Sequence, residues 1–333
     1  MSLSIIIVNY KTATLTLDCL SSIYKFDTGN IELIVVDNNS DDSIESMLHL
    51  KYPAVRFLQT GYNAGFARAN NAGIRIAKGD VVLLLNSDTI NIDNAINHCY
   101  EKLLNSPFIA ASVQLLNEDK TPQISGNYAM KGGLNYLLPL PYTGVFLKWI
   151  AGVFKIKKPN VPDAKGLVEV DWINGAFLMV KKEAIDAAGL LDEDFFLYAE
   201  EAEWCSRLKK VGGMFVYGDD HVIHLQGESS GTAFNSDSKG YFNLFDKKGM
   251  QIMLSNFVRI KKQFGVGWLF FDLMFYYLTI PIFFIAVFFS STLFPKTKKY
   301  TLKQAAGFCY NMFKMPKYIL HLLSGKPFFY KVL

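Results

Sequence analysis

Directly after its first apolar run, where a dinucleotide-binding sheet carries GxGxxG, this 333-residue chain reads IIIVNYKTATL without a single glycine. That excludes the usual nicotinamide and flavin sites, whose pyrophosphate needs a close backbone approach at a helix N-terminus. A Walker phosphate loop is missing as well. The four cysteines, Cys19, Cys99, Cys205 and Cys309, stand far apart with no CxxC pair, so neither a zinc site nor a disulfide framework is expected and a reducing compartment fits. Charge is scarce: 19% of residues are charged and the net charge is +4, with short basic clusters at 155–158 and 296–299. So small and dispersed an excess excludes nucleic acid as the partner and points to membrane phosphates. The N-terminal MSLSIIIVNYK has a short apolar run with no basic region before it, which reads as a buried strand and not as a signal peptide.

Apolar residues, by contrast, make up 50% of the chain, which excludes general disorder, and the length allows one large domain plus an extension. Runs at 3–8, 32–36, 55–58 and 81–85 have the length and β-branched content of strands buried on both faces. Between them, 12–24 places Leu15, Cys19, Leu20 and Ile23 on one helical face, and 65–77 does the same with Phe66, Ala69, Ile74 and Ala77. This alternation predicts an α/β fold with parallel strands and right-handed crossovers, whose ligands gather beyond the carboxyl ends of the strands. From 127 to 166 the periodicity lapses, as in an insertion, and it returns at 168–180 and 183–213, where EEAEWCSRLKKVGG ends a helix at glycine.

The longest apolar run, LMFYYLTIPIFFIAVFFSSTLF at 273–294, has no charge and is long enough to cross a bilayer. Pro281 interrupts it, and lysines flank it on both sides, at Lys261 and Lys262 and again at Lys296, Lys298 and Lys299. A simple span would leave one basic cluster on the wrong side. A crossing helix, a kinked or re-entrant pair and an interfacial helix therefore all remain open, and residues 256–333 are expected to form a helical, membrane-associating module behind a domain at 1–255.

Three motifs carry chemistry. Asp37-Asn38-Asn39-Ser40-Asp41-Asp42 follows the second strand, where Asp37 could accept a hydrogen bond from a base imide or the cluster could simply build a turn and a cap. Leu85-Asn86-Ser87-Asp88-Thr89 follows the fourth strand and puts a carboxylate, suited to a hard divalent cation, at the same edge. Between them, Gly61-Tyr62-Asn63-Ala64-Gly65-Phe66-Ala67-Arg68-Ala69-Asn70-Asn71-Ala72-Gly73-Ile74 enters a helix with small residues and an arginine on its first turns, which suits an anion. Further on, Glu200, Glu201 and Glu203 open a helix, where acids either favour the helix start or supply a base.

Taken together with Trp172-Ile173-Asn174-Gly175-Ala176-Phe177, Gly189-Leu190-Leu191-Asp192-Glu193-Asp194-Phe195-Phe196 and Tyr198-Ala199-Glu200-Glu201-Ala202-Glu203-Trp204-Cys205, these motifs resemble the family 2 glycosyltransferases of GT-A fold over residues 3–235. The likeness is to bacterial members that add rhamnose or related sugars during polysaccharide assembly. It implies a Rossmann-like mixed sheet and an inverting, metal-dependent transfer from a dTDP- or UDP-sugar. The acceptor it implies is a saccharide, free or linked to a polyprenyl diphosphate, met at the cytoplasmic face of the cell membrane. It implies that Asn9, Asp37, Asn39, Asn63, Gly65, Arg68, Asn70, Asn86, Trp172 and Gly175 bind the nucleotide sugar. Asp88 and His224 would hold Mg²⁺ or Mn²⁺, with Gly227 and Ser229 of the segment HLQGES near the diphosphate. Glu201, with Glu200 second, would be the catalytic base. Two positions depart from the family pattern: Asn86 stands first in the metal motif often written DxD, and Glu201 stands where an aspartate is common.

Two other readings compete. A nucleotidyltransferase would need a glycine-rich, basic phosphate loop after the first strand, and Asn9-Tyr10-Lys11-Thr12 offers none. A carbohydrate-binding protein with a decayed active site would draw on the departures at Asn86 and Glu201, and labelled nucleotide sugars would separate it from an enzyme.

Overall fold

A computed structural model describes residues 2–128, 132–155, 160–225, 234, 243–293 and 299–332. The chain divides into two compact units that do not follow chain order: 1–129, 159–196 and 200–233 form unit 1, and 130–158, 197–199 and 234–333 form unit 2.

Unit 1 opens with the expected alternation: β1 (Leu3–Asn9), α1 (Ala13–Ile23), β2 (Ile31–Asp37), α2 (Ile44–Lys51), β3 (Arg56–Gln59), α3 (Gly65–Ile76) and β4 (Val81–Asn86). It continues through β5 (Thr89–Asn91), α4 (Ala95–Leu104), β6 (Ala110–Leu116), β7 (Gly126–Asn127), β8 (Asn160–Val161), β9 (Leu167–Val170), β10 (Trp172–Ile173), β11 (Phe177–Lys181), α6 (Lys182–Ala188), α7 (Glu200–Leu208) and β12 (Met214–His224). The main sheet runs β3-β2-β1-β4-β11-β6-β12-β5, with β9 added beside β12. The first four strands in that order pair in parallel, and β11 then enters antiparallel between β4 and β6. The sheet is therefore mixed. A small second sheet has the order β10-β7-β8.

Strand alternation explains the burial. Ile5, Ile7, Leu33, Val35, Leu83 and Leu85 pack with Cys19, Leu20 and Ile96 on one face, while Ile6, Ile34, Val36, Val82 and Leu84 pack with Ala67, Ile74 and Trp204 on the other. Both faces are covered by helices, so the strands need no polar side, and each fully buried Ile or Leu contributes about 1.5–3 kcal/mol. Strand β12 is irregular between Tyr217 and His221; beyond that bulge it pairs with β5, setting His224 opposite Thr89.

Unit 2 holds a 3₁₀ turn (Gly133–Leu137) and α5 (Thr143–Val153) from the insertion, then α8 (Lys247–Phe264), α9 (Val266–Leu293) and α10 (Leu302–Ser324). The boundary expected at 255/256 falls inside α8, whose single hydrogen-bonded ladder leaves no linker there. The long apolar run is one helix with Pro281 inside it and not a broken pair. It meets the length and hydropathy of a membrane span, and about a quarter of its apolar window (28%) is buried.

Candidate active site

The carboxyl ends of β1, β2 and β4 meet at one edge of the sheet, and side chains stitch them together. Asn9, at the end of β1, is fully buried; its amide donates to Asp37 Oδ1 at 2.9 Å, Ser40 Oγ at 2.9 Å and Asp42 Oδ2 at 3.0 Å. Its Oδ1 accepts from Thr12 at 3.1 Å and Thr16 at 2.9 Å. Asn9 is thus the hub of the edge and its own side chain faces inward. Asp37 is buried, with Oδ1 also accepting from the Ser40 hydroxyl and Oδ2 from the Ser40 amide at 3.1 Å. Thr12 continues the network to β4, with its hydroxyl 3.1 Å from Ser87 Oγ.

The loop after β2 takes left-handed backbone at Asn39, Asp41 and Ser43. Asn and Asp tolerate that region better than most residues. Asn39 is exposed at this edge. Its neighbour Asn38, to which the sequence reading gave no role, clamps the next loop: Nδ2 donates to Asn63 Oδ1 at 3.1 Å, and Oδ1 accepts from the Ala64 amide at 2.7 Å. Gly65 has φ +76°, and a Cβ there would lie 2.2 Å from Phe196 O, the atom that accepts the Phe66 amide proton at 2.8 Å. Arg68 Nε donates to Glu193 O at 2.9 Å, and buried Asn70 donates to Phe66 O at 2.9 Å. Asn71 holds Leu191 from both sides, at 2.8 and 3.1 Å. The 61–74 motif and the 189–196 motif are therefore one packed assembly.

At the end of β4, Asp88 is 2% exposed and its Oδ1 has no hydrogen-bond partner. His224 Nε2 lies 3.4 Å from that oxygen, and Asn86 Nδ2 is 3.4 Å from the same nitrogen. The pairing of β5 with the end of β12 brings together two residues so distant in sequence. The tautomer of His224 follows from Gln123. The Gln123 amide nitrogen donates to His224 O at 2.6 Å and Asn117 Oδ1 at 2.8 Å, so its Oε1 is the atom 3.0 Å from His224 Nδ1. An oxygen can only accept, so Nδ1 carries a proton, and in the neutral ring Nε2 is an acceptor placed between Asn86 Nδ2 and Asp88 Oδ1.

A buried carboxylate oxygen without a hydrogen-bond donor beside an imidazole nitrogen is unfavourable unless a proton or a cation lies between them. Oxygen and imidazole ligands about 2.1 Å from one ion stand about 3 Å apart, so Asp88 and His224 fit a hard divalent cation that keeps further positions for water and phosphate. Among the described residues no group of three or more His, Cys, Asp or Glu forms a closed metal cage. Gly227 and Ser229 lie outside the described residues.

Glu200 and Glu201 open α7, directly after two residues, Tyr198 and Ala199, with φ of +74° and +67°. Glu200 is buried with Oε2 unpartnered; burial, reinforced by the neighbouring Glu201, pushes its carboxyl well above the ordinary glutamate range. Glu201 is half-buried, and a Cβ on Gly175 would lie 3.3 Å from its Cγ. Ala176, next in the chain, accepts the Asn86 amide proton at 3.0 Å and so ties this corner to β4. Trp172, on β10, has a buried indole N–H without a partner. Glu203 is spent on Arg207, at 2.8–3.1 Å, which in turn holds Ala188 O and Leu190 O.

Residues 4–152, a little under half of the chain, match the family model Glycosyl transferase family 2, and the mixed α/β sheet has the GT-A arrangement. Among curated relatives, it is 27% identical over 213 residues to the low-salt glycan biosynthesis hexosyltransferase Agl10 of Haloferax volcanii, covering 62% of each chain. It is 26% identical over 145 residues to WfgD of Escherichia coli, a UDP-Glc:α-D-GlcNAc-diphosphoundecaprenol β-1,3-glucosyltransferase, covering 43% of this chain and 56% of that one. The matched stretches span between 30% and 62% of the length of the curated relatives. GalNAc-T7, solved with UDP, GalNAc and Mn²⁺, superposes with a TM-score of 0.50 at 13% identity, covering 67% of this chain and 43% of that one, which is a likeness of fold.

Proposed function

We propose that this chain is an inverting hexosyltransferase that moves a sugar from a dTDP- or UDP-sugar to a saccharide acceptor in glycan assembly. The observation that carries the reading is the buried Asp88 oxygen without a hydrogen-bond partner, 3.4 Å from His224 Nε2, at the carboxyl edge of a sheet matched by the family 2 model. Asp37 and the 61–70 loop are the groups for the nucleoside and its diphosphate. Asp88 and His224 would hold Mg²⁺ or Mn²⁺, which would supply charge neutralisation for the leaving diphosphate. Glu201, half-buried beside Gly175, takes the proton of the acceptor hydroxyl as the anomeric carbon is attacked, in one displacement without a covalent enzyme intermediate. Glu200, whose carboxyl burial pushes well above the ordinary glutamate range, leaves the base role to its neighbour.

The nature of WfgD as an enzyme acting on a diphosphoundecaprenol-linked sugar supports a polyprenyl-diphosphate-linked acceptor here. The exposed apolar length of α9 supports attachment to a membrane, at its cytoplasmic face in this reading. In this reading unit 1 does the chemistry and unit 2 provides the attachment. The test is a nucleotide-sugar panel, starting with dTDP-rhamnose, UDP-galactose and UDP-glucose, read by thermal shift with Mn²⁺ and then by transfer or hydrolysis. Asp88→Ala should lower turnover by about 10²-fold or more. Full activity of that variant, or of the enzyme in excess chelator, would remove the metal from the mechanism.

A further inference from the structure

We infer that unit 2 is a monotopic platform that rests on an anionic lipid surface, with α9 in the plane of the bilayer and α5 inserted beside it. The inference rests on the membrane attachment proposed above and specifies its geometry. Helix α5 reads TGVFLKWIAGV, and only Gly144 in it is buried. Phe146, Trp149 and Val153 are all more than half exposed, as is Phe154 just after the helix. The Phe146 and Trp149 rings stack with centroids 6.0 Å apart. At 1.5 Å per residue the helix is about 16 Å long, roughly half a hydrocarbon core, so it cannot cross one.

Helix α9 is apolar over most of both sides, with Asp272 and Thr279 buried on the inward one. Leu269, Leu273, Tyr276, Phe283 and Val287 face inward, and Phe270, Met274, Leu278, Ile282, Ile285 and Phe289 form an exposed row along the rest of its length. Crossing is incompatible with what is bound to it. Tyr136 O accepts from Tyr276 at 3.0 Å, Thr143 Oγ1 lies 3.2 Å from Thr279 Oγ1, and Tyr142 Oη lies 3.4 Å from Ser290 Oγ. Segment 136–143 is thus held against α9 at Tyr276 and Thr279, with the Tyr142 side chain reaching on to Ser290. A crossing α9 would carry that backbone, and α5 with Lys148, into hydrocarbon, where non-helical backbone and charge are both costly. Lying flat, the same groups stay at headgroup depth.

Charge identifies the surface. After Asp272 the chain has eight lysines and no Asp or Glu, and residues 129–158 have five lysines and no acid. On α10, Lys314 and Lys317 alternate with exposed Phe313 and Leu320, as on a helix lying at an interface. A neutral apolar partner protein would not need that one-signed excess, whereas an anionic leaflet attracts it.

The test uses full-length protein with vesicles of phosphatidylcholine, with and without phosphatidylglycerol. An environment-sensitive label is attached in a Cys309→Ser background at one position at a time: Trp149→Cys, Phe270→Cys, Leu278→Cys or Ile285→Cys. Quenching by lipids brominated at different acyl depths should give one shallow depth at all four positions, and flotation should require phosphatidylglycerol. Phe146→Asp with Trp149→Asp should weaken flotation about tenfold with an unchanged circular dichroism spectrum. A depth maximum at 278 with shallow flanks means that α9 crosses and overturns the inference, as does wild-type flotation of the double variant. Failure of the wild-type protein to float with any vesicle removes the membrane attachment itself, separately from its geometry.

Discussion

Gln123 Oε1 accepts the Nδ1 proton of His224 at 3.0 Å while the amide nitrogen of the same side chain donates to the His224 carbonyl oxygen at 2.6 Å. One neutral side chain thereby fixes both the ring tautomer and the backbone of a residue whose Nε2 faces Asp88. Replacing it with leucine removes the acceptor, frees the ring to move its proton to Nε2, and leaves buried donors and acceptors unmatched.

Gln123→Leu should therefore weaken Mn²⁺ binding, measured by calorimetry on the folded protein, by about 10- to 100-fold, the usual effect of losing a group that orients a ligating histidine. The same change should destabilise unit 1 by about 1–3 kcal/mol. Affinity within twofold of wild type would show that His224 does not depend on Gln123, or does not bind the ion.

Gly65 tests the assembly that supports the donor loop. It combines φ +76° with a Cβ position 2.2 Å from Phe196 O, so Gly65→Ala incurs both backbone strain and a clash with a backbone atom that cannot step aside. The expected loss is about 2–4 kcal/mol, read as a lower urea midpoint at unchanged slope. Gly175→Ala is the contrasting variant: its Cβ meets Glu201 Cγ at 3.3 Å and Cβ at 3.4 Å without touching backbone, so stability should fall less than at Gly65 while transfer falls. Equal stabilities of the Gly65 and Gly175 variants would contradict this account.

Much of unit 1 is legible in the sequence because its strands are buried on both faces, which leaves unbroken β-branched runs such as Ile5-Ile6-Ile7 with turn residues at their ends. The mixed order of the sheet is implied by the family resemblance alone and not by the local pattern, since β11 enters beside β4 through pairing between Phe177 and Leu85, residues far apart with no local signal. Helix α5 escaped because a helix apolar on every side shows no period, and Pro281 suggested a break that α9 does not make. At the site, the Asp, Asn and Glu clusters stand out as residue types, whereas the partnership of Asp88 with His224 depends on a strand pairing, and Gln123 and Asn38 look like ordinary turn residues until their bonds are seen.

Glu200 and Glu201 are adjacent, yet their surroundings separate them, and pH tells them apart. Burial and the neighbouring carboxylate raise the Glu200 pKa in the folded protein, so the folded state holds that proton more tightly than the unfolded chain does. A raised folded pKa contributes stability that is fully present below the unfolded value and is lost as pH rises through the folded one. Glu200→Gln mimics the protonated form, so it should flatten this decline: near wild-type stability in mild acid, and greater stability than wild type at pH above the raised folded pKa. Its transfer activity should stay within about tenfold of wild type, whereas Glu201→Gln should lose about 10²- to 10⁴-fold in turnover while still binding the donor. Thermal denaturation across pH, paired with turnover at one pH, separates the roles. If Glu200→Gln loses the larger share of turnover while Glu201→Gln alone changes the pH dependence of stability, the assignments are reversed and Glu200 is the base.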